Sequence, residues 1–117
     1  MKAQAGGKIV NVTSGRGVSG MKGGAHYSAS KGGINGFTRS AWMEWAQYGI
    51  NVNAVAPGIT DTPMPRAIHT EEELKALAAA QPEKRLGQPE ELVGVVVFLC
   101  SEASKSMYGQ IIYMKTP

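Results

Sequence analysis

Ile50-Asn51-Val52-Asn53-Ala54-Val55 decides the architecture of this 117-residue chain. Apolar and β-branched residues fill the run, and Pro57-Gly58 closes it, which marks a strand. Its meaning comes from what precedes it. From Ala25 to about Tyr48 the apolar residues Ile34, Phe37, Ala41, Trp45 and Tyr48 recur at spacings of three and four. That spacing predicts a helix, and Gly49 supplies its C-terminal stop. Gly32, Gly33 and Gly36 weaken that helix by ~1 kcal/mol each, so something should pack close to them: a sheet, a cofactor or a partner helix. Before the helix, Ser14 to Gly24 holds five glycines in eleven residues and reads as a mobile loop. Before the loop, Lys8-Ile9-Val10-Asn11-Val12-Thr13 is a first strand. Strand, helix, strand is the unit of a parallel sheet covered by helices.

The rest of the chain extends the pattern. Residues 56–69 carry three prolines and read as an irregular loop. Thr70 followed by Glu71, Glu72 and Glu73 has the spacing of a capping box, predicting a helix to about Ala80. Pro89-Glu90-Glu91 opens a further helix to about Ser101, with proline suited to the first turn. Gln110 to Met114 is a third strand. The fold class is therefore α/β, a parallel sheet with flanking helices; the family resemblance described below makes it the C-terminal portion of a Rossmann-type sheet.

Composition narrows the setting. The net charge of +3 comes from scattered Lys and Arg, not the clustered cations of a nucleic-acid surface. No run reaches the ~18 apolar residues of a membrane span, and Met1 to Gly7 lacks a signal-peptide core. The single cysteine, Cys100, sits in an apolar run and is expected to be buried in a reducing compartment. The expectation is a cytoplasmic protein without nucleic-acid or membrane partners. His26, His69 and Cys100 are too scattered to suggest a metal site.

Ligands of parallel sheets sit beyond the carboxyl ends of the strands. Ser14 follows the first strand, Pro57 to Thr62 follow the second, and Tyr27 opens the intervening helix at the same end. Within Tyr27-Ser28-Ala29-Ser30-Lys31, a phenol and an ammonium lie one helical turn apart, roughly 5–6 Å at Cβ. A cation beside a phenol favours its ionised form. A hydroxyl and a phenol aimed at one carbonyl oxygen polarise it and exchange a proton with it. No strong nucleophile accompanies them, so hydride transfer with an external cofactor fits better than hydrolysis. Gly15 to Lys22 fails as a phosphate loop, because Gly-Lys-Ser/Thr never occurs.

Four blocks carry a resemblance. Ile9-Val10-Asn11-Val12-Thr13-Ser14, the Tyr27-x-x-x-Lys31 pair, Asn51-Val52-Asn53-Ala54-Val55-Ala56-Pro57-Gly58, and Arg85-x-Gly87-x-Pro89-Glu90-Glu91 resemble the short-chain dehydrogenase/reductase family, in its order and spacing over residues 7–112. The resemblance implies a Rossmann fold, NAD or NADP as cofactor, a small carbonyl or alcohol substrate, and a dimer or tetramer. It makes Tyr27 the acid/base and has Lys31 bind the nicotinamide ribose and favour the phenolate. Ser14 then orients the substrate carbonyl, and Pro57 and Gly58 lie beside the nicotinamide. Thr60 meets the carboxamide through its backbone, and Thr62 reaches the carboxamide or the phosphates. Residues 63–80 match the substrate lid. The helix 25–48 matches the one that packs on a symmetry mate, so Trp42 and Trp45 serve either that interface or core burial. Asn51 and Asn53 read as sheet-end structure rather than catalytic residues.

The departures are as informative. The family's chain is about twice as long, and its glycine-rich dinucleotide fingerprint, the acid that grips the adenine ribose and a fourth catalytic asparagine are absent here. Met1 aligns with an internal position, so residues 1–117 read as a partial domain without its nucleotide-binding half. Met114-Lys115-Thr116-Pro117 stands where the family usually has Asp-Gly-Gly. The isolated chain is therefore expected to bind NAD(P)H weakly and turn over poorly. The alternative is an inactive family fragment acting as an oligomerisation or interaction module.

Overall fold

The computed structural model describes residues 1–115 and forms two units. The first joins residues 1–58 to 95–117, and the second covers 59–94. Thr116 and Pro117, the end of the segment that departs from Asp-Gly-Gly, lie outside the described residues.

The first unit is built on a three-stranded parallel sheet in the order β1 (Gly7–Val12), β2 (Ile50–Ala56), β3 (Ile111–Tyr113). Register runs from Gly7 opposite Ile50 to Val12 opposite Val55, and from Ala54 opposite Ile111 to Ala56 opposite Tyr113. The deciding stretch is the central strand, and every residue of β2 is buried. Continuous burial is what a parallel strand covered on both faces requires. Alternation divides its side chains between two faces. Ile50 and Val52 pack with Ala41, Trp42 and Trp45. Asn51 and Asn53 are instead tied to residues 104–110. The Asn51 Nδ2 donates to the Ser104 carbonyl at 3.2 Å, the Asn53 Nδ2 donates to the Met107 carbonyl at 2.8 Å, and the Asn53 Oδ1 accepts from the Gln110 amide at 2.9 Å. Both asparagines are structural, as expected, but they sit inside the strand.

The long helix α2 (Ala25–Trp45) links the first two strands, followed by one 3₁₀ turn to Tyr48 and Gly49 in the left-handed region at φ 70°. Its buried face differs from the apolar stripe read in the sequence. Phe37 is half exposed, and the buried positions are Asn35, Thr38 and Ala41. Polar pairs join the helix to β1: Asn11 Nδ2 donates to Thr38 Oγ1 at 3.0 Å, and Thr13 Oγ1 meets Asn35 Oδ1 at 2.7 Å. The two tryptophans are half-buried against their own core, and the Trp42 ring also meets that of Tyr108, tilted at 43° with centroids 6.0 Å apart.

Three expectations are corrected. The glycine-rich segment after β1 contains a short helix, α1 (Arg16–Ser19). A Cβ on Gly17 would come within 2.7 Å of the Lys31 backbone, and one on Gly32 within 3.2 Å of the Gly17 carbonyl. Those two glycines let α1 pack on α2, whereas Gly33 and Gly36 have nothing near them. In the second unit, the proline-bearing loop contains α3 (Pro63–Ile68), which begins with proline at its first position. It precedes α4 (Glu71–Ala80), whose Thr70–Glu73 capping box forms in both directions. Cys100, expected to be buried, is exposed at the end of α5 (Val93–Cys100). The helix is apolar all round, so hydropathy gave no sign of which side faces out; Leu99 is buried while Val97 and Phe98 are exposed.

Candidate active site

The carboxyl ends of β1 and β2 lie side by side, joined beyond the last strand pair by the Thr13 amide donating to the Val55 carbonyl at 2.8 Å. Ser14 follows at once. Its Oγ accepts from the Arg16 amide at 3.2 Å and its carbonyl accepts from the Gly17 amide at 3.0 Å, so the residue is fixed by the turn into α1. Tyr27 and Lys31 occupy the first two turns of α2.

Lys31 is held from two directions. Its Nζ donates to the Val12 carbonyl at 3.1 Å and lies 5.7 Å from the Tyr27 ring centroid. Its own carbonyl accepts from Thr13 Oγ1 at 3.0 Å. That hydroxyl also contacts Asn35, and Thr13 and Asn35 are both buried. One hydroxyl hydrogen cannot serve two acceptors fully. Both contacts are satisfied if the Asn35 amide is turned so that its NH₂ donates to Thr13, an orientation that the hydrogen-bond network decides. Thr13 and Asn35 were missed in the sequence. The available signal was their position: Asn35 and Thr38 continue the helical spacing of the residues that face β1.

Among the described residues the Tyr27 hydroxyl has no hydrogen-bond partner, and two of the three N–H donors of Lys31 remain after Val12 is satisfied. These groups fit the ribose and reacting end of a dinucleotide. Pro57 and Gly58 continue from β2 in the same unit, and the Lys115 side chain lies where a Cβ on Gly58 would project, 2.7 Å away. Thr60 and Thr62 belong to the second unit. Thr60 bridges to Gly87, and Thr62 caps α3. The first unit thus places Ser14 and the first two turns of α2, with Tyr27 and Lys31, at one sheet end, and Pro57 and Gly58 just beyond the end of β2.

Residues 1–116 match the family described as Enoyl-(Acyl carrier protein) reductase. The chain belongs to the short-chain dehydrogenase/reductase family. Acetoacetyl-CoA reductase of Acinetobacter sp. (strain RA3849) is 44% identical over 110 residues, covering 94% of this chain and 44% of that protein. A 3-oxoacyl-[acyl-carrier-protein] reductase of Aquifex aeolicus (strain VF5) is 42% identical over 108 residues, covering 92% of this chain and 43% of its own length. The solved gluconate 5-dehydrogenase of Burkholderia cenocepacia J2315, in complex with NADP and tartrate, superposes with a TM-score of 0.91 at 34% identity, over 98% of this chain and 46% of that one. This short-chain dehydrogenase/reductase chain spans less than half the length of these relatives.

Proposed function

We propose that this chain carries the catalytic portion of an NAD(P)(H)-dependent oxidoreductase that interconverts a carbonyl and an alcohol. The observation that carries the reading is the Lys31 ammonium, bonded to the last residue of β1 and 5.7 Å from the Tyr27 ring, one residue pair from Ser14. Family membership and the NADP-bound relative support it.

The cofactor supplies or accepts the hydride. Tyr27 Oη gives its proton to the substrate oxygen as the carbonyl becomes an alcohol, and takes it back in the reverse direction. Ser14 Oγ donates a hydrogen bond to that oxygen and orients it. Lys31 keeps a positive charge beside the phenol, which favours the phenolate, and its remaining donors hold the nicotinamide ribose. Pro57 and Gly58 line the nicotinamide side, and Thr60 and Thr62 are assigned to the carboxamide and phosphates by the family's pattern.

Turnover of a ketone panel with NADPH and NADH tests this. Tyr27→Phe is expected to lower whatever rate is measured by about 10²–10⁴-fold, the range of a lost general acid. An unchanged rate in that variant would remove the reading.

A second reading, association of identical chains through α2, rests on its outward face. Gly33, Gly36, Phe37, Ser40 and Met43 are all exposed there, and no atom approaches the two glycines. Phe37→Asp, followed by sedimentation analysis, is expected to shift the chain toward a monomer; an unaltered mass excludes this face.

A further inference from the structure

Charge is divided unevenly between the two units. The first holds eight Lys and Arg against two acids, and the second holds four against seven. Residues 1–43 contain six cations and no acid at all, and three of the six, Arg16, Lys22 and Lys31, belong to the segment around Tyr27. The first turn of α2 carries no acid, whereas that of α4 carries three. Glu44, the first acid in the chain, is seventeen residues beyond Tyr27, about 25 Å along the helix at 1.5 Å per residue.

Among the described residues, the cations near Tyr27 also lack acidic partners. In the second unit Arg66 makes two bonds to Asp61, at 2.6 and 2.8 Å, and Arg85 makes two to Glu91, at 3.2 and 2.5 Å. By contrast, among the described residues the exposed Arg16 and Lys22 side chains form no ion pair. Arg16 is fixed at its backbone, because its amide donates to the Ser14 side chain. Lys22 lies five residues before Tyr27 and Lys31 four after. The positive N-terminal end of the 21-residue α2 adds to the same field. A concentration of one sign at a binding site selects and steers ligands of the other.

We infer that the substrate of this site carries an anionic group, a carboxylate or a phosphate, recognised by Arg16 and Lys22. This rests on the oxidoreductase reading for the identity of the site, and it adds what that reading leaves open. The reacting carbonyl or alcohol meets Ser14 and Tyr27 while the anion meets the two cations on the neighbouring segment.

Amide titrations of the ¹⁵N-labelled 117-residue chain test the inference with four probes: 3-oxobutanoate, dihydroxyacetone phosphate, uncharged butanone, and adenosine 2′,5′-bisphosphate. Shifts of residues 14–31 are expected with the carboxylate or the phosphate ketone, and which one saturates first identifies the group. That ketone should bind at least about fivefold more tightly than butanone, and Arg16→Gln or Lys22→Gln should each weaken it about two- to fivefold, the range of exposed ion pairs. Both residues are exposed, so these changes leave packing untouched. Equal binding of butanone, unaltered anion binding in the double variant, or no shift with either charged ketone would overturn the inference. So would shifts from the adenosine bisphosphate alone, which would assign the cations to a dinucleotide. Hydride transfer is measured separately. Anion-selective binding with a rate unchanged by Tyr27→Phe leaves the inference standing and removes the oxidoreductase reading, while a Tyr27-dependent rate that ignores substrate charge does the reverse.

Discussion

Two side chains around the Tyr27–Lys31 pair differ in what they contribute. Thr13 is buried, and its hydroxyl serves the Lys31 carbonyl and Asn35 together. Thr13→Val keeps the shape and removes both contacts, leaving buried polar groups unpaired. The expected loss is about 1–3 kcal/mol, read by denaturant unfolding, with Thr13→Ser restoring most of it. A value near zero would mean that the pair is not formed in solution. Ser28 is the opposite case, since its Oγ is buried with no partner among the described residues. Ser28→Ala deletes no bond, so stability should stay level or rise by up to about 1 kcal/mol; a clear fall would reveal a partner for that hydroxyl. Tyr27 and Lys31 were legible in the sequence because helical spacing alone brings them together. Thr13 and Asn35 were not, because a buried polar pair leaves no trace in hydropathy when both members look like surface residues.

Among the elements, those with a chemical signature were the readable ones. The Thr70–Glu73 box announced α4, and Thr70→Ala should cost about 1 kcal/mol, measured as lost stability with the far-UV signal of the folded chain retained. The three strands and α2 were found within a few residues of their observed bounds, since periodicity had room to show. α1 and α3 went unread because they are only four and six residues long and carry one glycine and two prolines between loop-like neighbours. Beside α3, Arg66 hydrogen-bonds Asp61 and holds its carboxyl below the ordinary carboxylate range. A lowered value means that the pair contributes above the unfolded carboxylate's pKa and is lost as pH falls through the folded one. Arg66 is exposed and Asp61 only partly buried, so salt should weaken the effect. Arg66→Gln is expected to move the Asp61 titration back toward the ordinary range, followed by ¹³C NMR of the carboxyl; an unmoved midpoint would show that the pair is absent in solution.

At the scale of the molecule, 98% of the chain superposes closely on 46% of a longer relative. The proposed site would hold the reacting end of a dinucleotide, yet the 117-residue sequence contains no glycine-rich strand–turn–helix for the pyrophosphate. Calorimetric titration with NADPH should therefore give a dissociation constant weaker than micromolar, and a micromolar value would contradict that account. Among the described residues β1 pairs with β2 on one side only. Gly7 and Thr13 direct their amides into that pairing, and the two-residue repeat of a parallel ladder sends those of Ile9 and Asn11 the same way. The amides of Lys8, Val10 and Val12 point to the other side. Transferred into deuterated water, a single strand should then record two clocks: slow exchange at the odd-numbered residues from 7 to 13, fast exchange at the even ones between them. Slowing of the even set alone would report the moment another strand adds to that side.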